Sequence, residues 1–310
     1  MAIKWRSKIL LAEIESSYGS DPSPTGSANA VLATDVQLTP MEGNDVSRDL
    51  ETPYLGAQAT IPTELHSKLS FKVEMAPSGT AGTAPAWGPL LRACAVAETI
   101  VASTSVTYNP ITDSHESLTF HLWIGSTRYV LLGSRGNCMI RADAQGIPYL
   151  EFEFTGLFSQ PSEVSRPTPT LSGFQKPLVA TSTNTPTFTL GGTSFVMRSA
   201  RLDLGNQVEN RFLVGSESVL ITDKAEVFET TVEAVALTTF NPFSLAAAQS
   251  SVAVSLVHGT AAGAIATLAI PTAQMQRPQG LENAQDIKEW PMRLVPLPSS
   301  GNDQWTLTLT

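Results

Sequence analysis

Strict alternation of apolar and polar residues in two short segments constrains the fold of this chain more than any other feature. In residues 68–75 the apolar side chains are Leu69, Phe71, Val73 and Met75, and in residues 149–157 they include Leu150, Phe152 and Phe154. A period of two places all the apolar side chains of a strand on one face. Both segments therefore predict half-buried strands, and the chain as a whole is predicted to be mainly β.

Two stretches predict short helices beside these strands. Residues 87–99 space Leu90, Leu91, Cys94 and Ala97 as a helix does, and Pro89 lies in the first turn. Residues 241–249 begin with Asn241, a good N-cap, followed by Pro242 at the first helical position. Proline is tolerated there because its missing N–H would have no partner in the helix.

The order of elements in the first half is repeated in the second. Each half has a strand, a long polar loop, a second strand, a helix and further strands, and residues 159–184 between them are rich in Pro, Ser and Thr. Such a composition is typical of a linker. We predict a first module at residues 1–160 with an N-terminal arm, a linker at 161–186 and a second module at 187–310.

Composition excludes several classes of function. Charged residues make up 15% of the 310 residues, and the net charge is −9 with no basic cluster, which argues against wrapping nucleic acid. No apolar run reaches the length of a membrane-spanning helix. Residues 1–18 carry charges and lack a cleavage pattern, so we expect no signal peptide. The sequence predicts a soluble protein made in the cytoplasm.

No pattern of residues indicates catalysis or metal binding. The four histidines (His66, His115, His121 and His258) lack the spacing of a zinc site, and no nucleophile elbow or phosphate loop occurs. Glu151 and Glu153 share a strand face, but charged residues opposite an apolar face are ordinary for a half-exposed strand. Cys94 and Cys138 are interpreted as buried small hydrophobes. We expect no enzymatic activity and no cofactor.

The two polar loops carry an excess of acidic residues. Residues 35–51 contain five acids and one base, and residues 203–226 contain five acids and two bases. Either loop alone would be interpreted as a solvated hairpin, but two at equivalent places with the same sign suggest a shared purpose. Repeated around a ring, they would form a surface that repels the DNA backbone.

Three blocks of sequence resemble the major tail tube proteins of long non-contractile tailed bacteriophages. They are Ser117–Gly125, Arg128–Asn137 and Gly146–Gly156, with an Arg-Gly-Asn turn at 135–137 and a Gly-Ile-Pro before the alternating Phe strand. The charged arm at residues 4–15 before Tyr18-Gly19 is also similar. The match is best over residues 1–160 and extends beyond 170 only in the order of elements.

The resemblance implies β-sandwich or barrel modules, each with one flanking helix, that form stacked rings around a hollow tube in the virion tail. The implied partners are further copies of the chain, the tape measure protein, distal tail and tail terminator proteins, and double-stranded DNA in passage, with no membrane. Two modules per chain would make three copies sufficient for a six-module ring.

The resemblance and the charge counts suggest two sets of candidate residues. The candidates for an acidic lumen lining are Glu42, Asp45, Asp49, Glu51, Glu209 and Glu217. The candidates for ring stacking are Lys4, Trp5, Arg6, Lys8 and Tyr18, in an arm that we expect to contribute nothing to the core and to become ordered on stacking.

Two other classes of function remain open. A β-rich adhesin or carbohydrate-binding protein would need exposed aromatic residues clustered on one face, whereas the five tryptophans are scattered along the chain. A glycan-cleaving enzyme would need paired carboxylates in a cleft.

Overall fold

The computed structural model describes residues 3–310, of which about half are in strands and 4% in helices. The first half contains strands β1 (Lys8–Ile14), β2 (Ala30–Val31), β3 (Thr34–Ser47), β4 (Thr60–Glu74), β5 (Val96–Val101), β6 (Ser105–Pro110), β7 (Leu118–Ile124), β8 (Thr127–Asp143), β9 (Tyr149–Phe158) and β10 (Ser162–Glu163), and helix α1 (Gly88–Arg92). The second half contains β11 (Thr187–Leu190), β12 (Thr193–Ser194), β13 (Met197–Asp203), β14 (Asn206–Leu213), β15 (Ser216–Lys224), β16 (Val227–Glu233), helix α2 (Pro242–Ala247), β17 (Ser251–His258), β18 (Ala266–Met275), β19 (Glu282–Ala284), β20 (Ile287–Pro296) and β21 (Thr306–Leu309).

One antiparallel layer runs through both halves of the chain. Its strand order is β3-β4-β9-β8 in the first half and β13-β16-β20-β19 in the second. The two sets are joined where residues 139–143 of β8 pair with residues 199–203 of β13, and we call this pairing the internal junction. Within residues 3–310, β3 pairs only with β4 and β19 only with β20, so the layer ends at these two edges.

The remaining strands pair in the same order in both halves. In the first half β1 pairs with β7 and β7 with β8, and in the second half β11 pairs with β17 and β17 with β18. These strands pack over the joined layer, and the result is a mainly β, sandwich-like fold, as the alternation predicted. The two halves also share one continuous hydrophobic core.

Irregularities of register recur at matching places in the two halves. The β3–β4 register slips between Thr34 and Gln37, and the β13–β16 register slips between Met197 and Ser199. The β7–β8 and β17–β18 pairs likewise slip, after Leu118 in one and after Val252 in the other. A bulge changes the local twist of a strand, so matching bulges give the two halves matching shapes.

Four phenylalanines cluster in the core of the first half, whereas the core of the second half mixes aromatic and aliphatic residues. Phe71, Phe120, Phe152 and Phe154 lie with ring centroids 4.7 to 6.0 Å apart. The corresponding part of the second half buries Phe228, Ile270, Trp290 and Leu294. Both cores consist of the apolar faces of alternating strands, as expected for this patterning.

The N-terminal segment is part of this core, so the prediction that it contributes nothing to it is wrong. Strand β1 pairs along its full length with β7 and also with β2, and Leu11 is fully buried. Four consecutive residues, 9–12, are buried because β1 is covered on both faces, which removes the alternation that marks a half-exposed strand. Residues 1 and 2 of the predicted arm lie outside the described residues.

Both helices form where the sequence predicts them, but α1 is shorter than predicted. Ala95 has a φ of 56°, which ends the helical conformation, and the chain continues directly into β5. Helix α2 begins as expected, with the Asn241 side chain accepting a hydrogen bond of 3.0 Å from the Ser244 amide. Neither helix, within residues 3–310, is long and apolar enough to cross a membrane.

Three segments predicted as turns or loops are strands. The Arg-Gly-Asn segment at residues 135–137 lies inside the continuous strand β8, with a bulge near Gly133, whose φ is 56°. The polar loop of the first half, residues 35–51, belongs to strand β3 as far as Ser47 and only then becomes an irregular connection. The polar loop of the second half is the hairpin β14–β15. The strands of these two hairpins were not predicted, because the distal part of β3 and most of β14 expose both faces and so lack alternating hydrophobicity.

The proline-rich segment between the halves is largely irregular but is packed against the body. Apart from β10, residues 159–186 contain no strand or helix. The amide of Thr170 donates to the Gly26 carbonyl, and the amide of Ala180 donates to the Gly146 carbonyl. The segment therefore connects the halves along their surface, while the internal junction joins them directly.

Candidate assembly surfaces

The joined layer turns one face to the core and the other to solvent, and we call the second the polar face. Residues 35, 37 and 39 of β3 and the alternate residues of the seven following strands lie on it. Glu151 and Glu153, the acid pair noted in the sequence, both lie on this face. The polar face is thus a continuous surface made by both halves of the chain.

Ion pairs cover the polar face in each half. In the first half, Lys72 Nζ lies 3.3 Å from Glu151 and 3.5 Å from Asp35. In the second half, Glu229 contacts Arg201 and lies 3.8 Å from Arg293. Glu151 and Asp35 raise the pKa of Lys72, because both carboxylates favour its charged form. Each half therefore carries its charges as paired groups together with a surplus of acids.

A groove of about 360 Å³ lies over the internal junction on the polar face. Arg141 and Arg201 face each other across the two paired strands, and Arg141 also lies 2.7 Å from Asp143. The groove continues past Arg293 to Arg277 and Glu282, which precede and begin β19 at the far edge of the layer. Asp143 compensates the positive charge of Arg141, and Glu229 compensates that of Arg201.

The distal parts of β3 and β4 extend beyond the layer as a two-stranded ribbon, residues 39–65. Glu42 lies on it, 2.7 Å from Lys68 and 3.4 Å from His66, and the hydrogen bond from Lys68 lowers the pKa of Glu42. Asp45 pairs in register with Pro62, and Asp49 and Glu51 lie in the exposed loop that follows β3. The four first-half lumen candidates therefore all lie on the ribbon.

The other two lumen candidates, Glu209 and Glu217, are exposed on the β14–β15 hairpin. Its base is held by Asn206, which donates to the carbonyls of Cys94 and Gly136, and by Lys224. Lys224 Nζ donates to the carbonyls of Ala95 and Ile111 at 2.8 and 2.7 Å. Burial lowers the pKa of Lys224 to about 8.

The two polar hairpins lie next to each other. The rings of His66, which follows the ribbon in β4, and Phe212 on the β14–β15 hairpin have centroids 6.3 Å apart. The structure thus brings together the two acidic segments that the sequence places about 160 residues apart. Both hairpins also end in exposed apolar residues, Tyr54 and Leu55 on one and Val214 on the other.

The five ring-stacking candidates occupy two different environments. Trp5 is 64% exposed, Lys4 and Arg6 are exposed, and Lys8 Nζ lies 4.2 Å from the centre of the Trp5 ring while donating to the Val36 carbonyl. Tyr18 is 36% exposed and packs against the body of the chain, where its ring lies 5.0 Å from the Arg135 guanidinium. Burial raises the pKa of Tyr18.

Sequence reasoning missed the polar face as a continuous surface. It weighed Glu151 and Glu153 only as a catalytic pair, although the signal that reveals the face is the same alternation that revealed the strands. The two cysteines behave as interpreted: Cys94 and Cys138 are free, fully buried thiols, and burial raises the pKa of both. No cluster of possible metal ligands occurs among residues 3–310.

Comparison with known proteins identifies the family of the chain. No curated protein significantly matches the chain. A family model described as phage tail tube protein matches residues 5–291, which is most of both halves. The chain therefore belongs to the phage tail tube protein family.

Proposed function

We propose that three copies of the chain close into a ring, and that the rings stack into the hollow tube through which the phage genome is ejected. Family membership supports a structural role in the virion tail. The observation that carries the finer proposal is the internal junction, where a four-stranded set continues into an equivalent set and leaves one free edge at each end. A head-to-tail contact of this kind closes into a ring when its rotation allows.

The two equivalent strand sets support a duplication within the chain. With two modules in each chain, three chains supply six modules. We propose modules at residues 1–160 and 187–310, with 161–186 as the linker. The matching bulges of β3 with β13 and of β7 with β17 support this division. Six modules with the same shape allow a ring with pseudo-sixfold symmetry from only three chains.

The polar face is proposed as the wall of the lumen, and its charge supports an acidic lining. It carries ten acids, namely Asp35, Glu74, Asp143, Glu151, Glu153, Asp203, Glu229, Glu233, Glu282 and Glu289. Five bases accompany them, namely Lys68, Lys72, Arg141, Arg201 and Arg293. The ribbon and the β14–β15 hairpin would extend this surface along the tube with Glu42, Asp45, Asp49, Glu51, Glu209 and Glu217.

An acidic wall suits the passage of DNA. Duplex DNA carries one negative charge per roughly 1.7 Å of its axis, so a basic wall would bind it through many contacts. A net negative wall keeps each contact weak, and screening over about 8 Å at physiological salt limits the repulsion. The proposed partners are the tape measure protein inside the tube, the terminator and distal tail proteins at its ends, and DNA in transit. Synthesis is proposed in the cytoplasm of the host.

Native mass spectrometry and negative-stain electron microscopy test this function on the full-length chain. We expect annular particles whose mass corresponds to three copies of the 33.0 kDa chain, together with tubes of stacked rings. Rings of six copies would contradict the trimer, and purely monomeric protein at tube-forming concentrations would contradict the proposed assembly.

A further inference from the structure

The internal junction defines which surfaces join two modules. On one side lies the end of β8, with Ile140 and Ala142 facing the core, and on the other lies β13, with Ala200 and Leu202. The register pairs Leu202 with Ile140 and Arg201 with Arg141. Ile140 is 4% exposed and Leu202 is fully buried, so the junction is sealed by apolar contacts on its inner face.

Strand register identifies the equivalents of both surfaces at the free edges of the layer. Leu38 pairs with Leu69 as Leu202 pairs with Phe228, so β3 is the equivalent of β13. At the other edge, Glu282 pairs with Glu289 near the start of β20, just as Arg141 pairs with Tyr149 at the start of β9. Residues 280–284 are therefore the equivalent of residues 139–143.

We propose that β3 of one copy pairs antiparallel with residues 280–284 of the next copy, in the register of the internal junction, with Leu38 opposite Leu281 and Gln37 opposite Glu282. This inference rests on the proposed ring and names the contact that closes it. The partner is a second copy of this chain. Its residues 280–284 are the equivalent of residues 139–143, on which β13, the equivalent of β3, already docks.

The exposure of Leu281 supports this pairing. Leu281 is 59% exposed, whereas its equivalent Ile140 is 4% exposed beneath β13. An unpaired strand edge with an exposed apolar side chain is a site for strand addition. Docking β3 there would cover Leu281 with Leu38, just as Leu202 covers Ile140.

The local structure of this edge also supports an unfilled site. Residues 276–281 lie between β18 and β19 and form no strand in the single chain, although they run beside β20. The segment from Met275 to Glu282 is two residues longer than the equivalent segment from Gly136 to Arg141. We expect the part next to Glu282 to become a regular strand when β3 of the next copy supplies its hydrogen bonds.

Disulfide trapping tests the register on assembled rings. The double variant Gln37→Cys/Glu282→Cys should give covalent dimers and trimers on a non-reducing gel after mild oxidation, because directly opposite residues lie within disulfide reach. Each single variant should give monomers. The native cysteines should not interfere, since Cys94 and Cys138 are fully buried.

Two further variants calibrate the trapping experiment. Arg141→Cys/Arg201→Cys places the thiols across the internal junction and should form a disulfide within one chain. Gln37→Cys/Asn283→Cys places the second thiol on the opposite face of its strand and should not cross-link. Rings seen by microscopy that fail to cross-link at 37 and 282, or that cross-link at 37 and 283, would overturn the proposed register while leaving the ring intact.

A charge at position 281 tests the same contact without oxidation. Leu281→Asp should leave a folded monomer by circular dichroism and abolish rings, whereas Leu237→Asp, at another exposed leucine, should assemble as wild type does. Ring formation by Leu281→Asp at the wild-type concentration would overturn the proposal. Absence of rings from the wild-type chain would instead overturn the proposed function together with this contact.

Discussion

The backbone amide of Val219 donates a hydrogen bond of 2.6 Å to the hydroxyl oxygen of Tyr18, which lies 201 residues earlier in the chain. The contact ties the N-terminal segment to the β14–β15 hairpin of the second half. Arg135 strengthens it by stacking on the Tyr18 ring and donating to the Val219 carbonyl at 2.8 Å. Tyr18, a candidate for ring stacking, thus also makes a contact within one subunit.

Replacing Tyr18 with Phe should loosen the β14–β15 hairpin without changing the fold. The substitution leaves the Val219 amide without its partner, which should lower the free energy of unfolding by about 1–3 kcal/mol. Denaturant unfolding and hydrogen exchange of residues 216–221 measure both effects. Tyr54→Phe, at an exposed tyrosine of the ribbon, is the matched control and should change neither.

Truncating the buried strand β1 should destabilise the subunit itself. Leu11→Ala removes a fully buried side chain, and such substitutions typically cost about 2–5 kcal/mol. Deleting residues 2–20 should therefore prevent folding, whereas deleting residues 2–6 should spare it. Thermal unfolding checks these outcomes. Folded subunits from the 2–20 deletion that merely fail to form tubes would support an arm that acts only in stacking.

Lys224 should make the stability of the subunit rise with pH above neutrality. Its pKa is about 8 in the folded chain and 10.5 when unperturbed, so between these values the unfolded state binds more protons than the native state. By linkage, the free energy of unfolding then increases as pH rises through this window. Denaturant unfolding at pH 7.5 and 9.5 should show the increase in the wild type, and Lys224→Met should lose it.

The exposed Lys176 provides the control for this pH dependence. Lys176→Met should keep the wild-type increase between pH 7.5 and 9.5. The same slope in Lys224→Met as in the wild type would show that other groups cause it. The comparison stays below pH 10 because burial raises the pKa of Tyr18 and Tyr108 in the folded chain. Above pH 10 these tyrosines lose their protons more readily in the unfolded state, so the free energy of unfolding falls as pH rises.

Reversing charges on the polar face should block DNA passage but not assembly. Glu153→Lys/Glu233→Lys converts two exposed acids of the proposed wall, and each ring would carry three copies of the change. We expect tubes of normal appearance and virions that release DNA poorly, measured by plating efficiency and by DNA release from purified particles. Asp113→Lys, in an exposed turn outside the joined layer, should leave delivery unchanged.

The ribbon acids give a separate test of the lumen. Replacing Glu42, Asp45, Asp49 and Glu51 with Lys should leave tubes intact and reduce delivery if these residues line the channel. Loss of tubes with intact single rings would instead place them at the contact between rings. Electron microscopy of the variant separates the two outcomes, because it shows rings and tubes directly.

The sequence was most informative where strands are half-buried. The alternating segments at residues 68–75 and 149–157 are β4 and β9, and the Asn241 cap marks the start of α2. It was least informative where a strand is buried on both faces, as in β1, or exposed on both, as in the ribbon. In neither case does the side-chain pattern have a period of two.

The candidate surfaces were harder to predict because they depend on contacts between distant residues. Pairing of β8 with β13 brings together residues about 60 positions apart, and neither strand contains a local signal for its partner. The acids of the polar face were visible in the sequence, but their common surface exists only after this pairing. The order of elements predicts two equivalent modules, and the matching strand pairings of the two halves support that proposal.

The internal junction also bears on the kinetics of assembly. Because β8 and β13 belong to one chain, their encounter is intramolecular, with an effective concentration that for short flexible tethers reaches the millimolar range. In a ring of three chains, every second contact between neighbouring modules would be an internal junction, formed before any two subunits meet. Joining three chains before ring closure would take two bimolecular association steps, whereas joining six single modules would take five, so a ring could begin at lower subunit concentrations than one built from single modules.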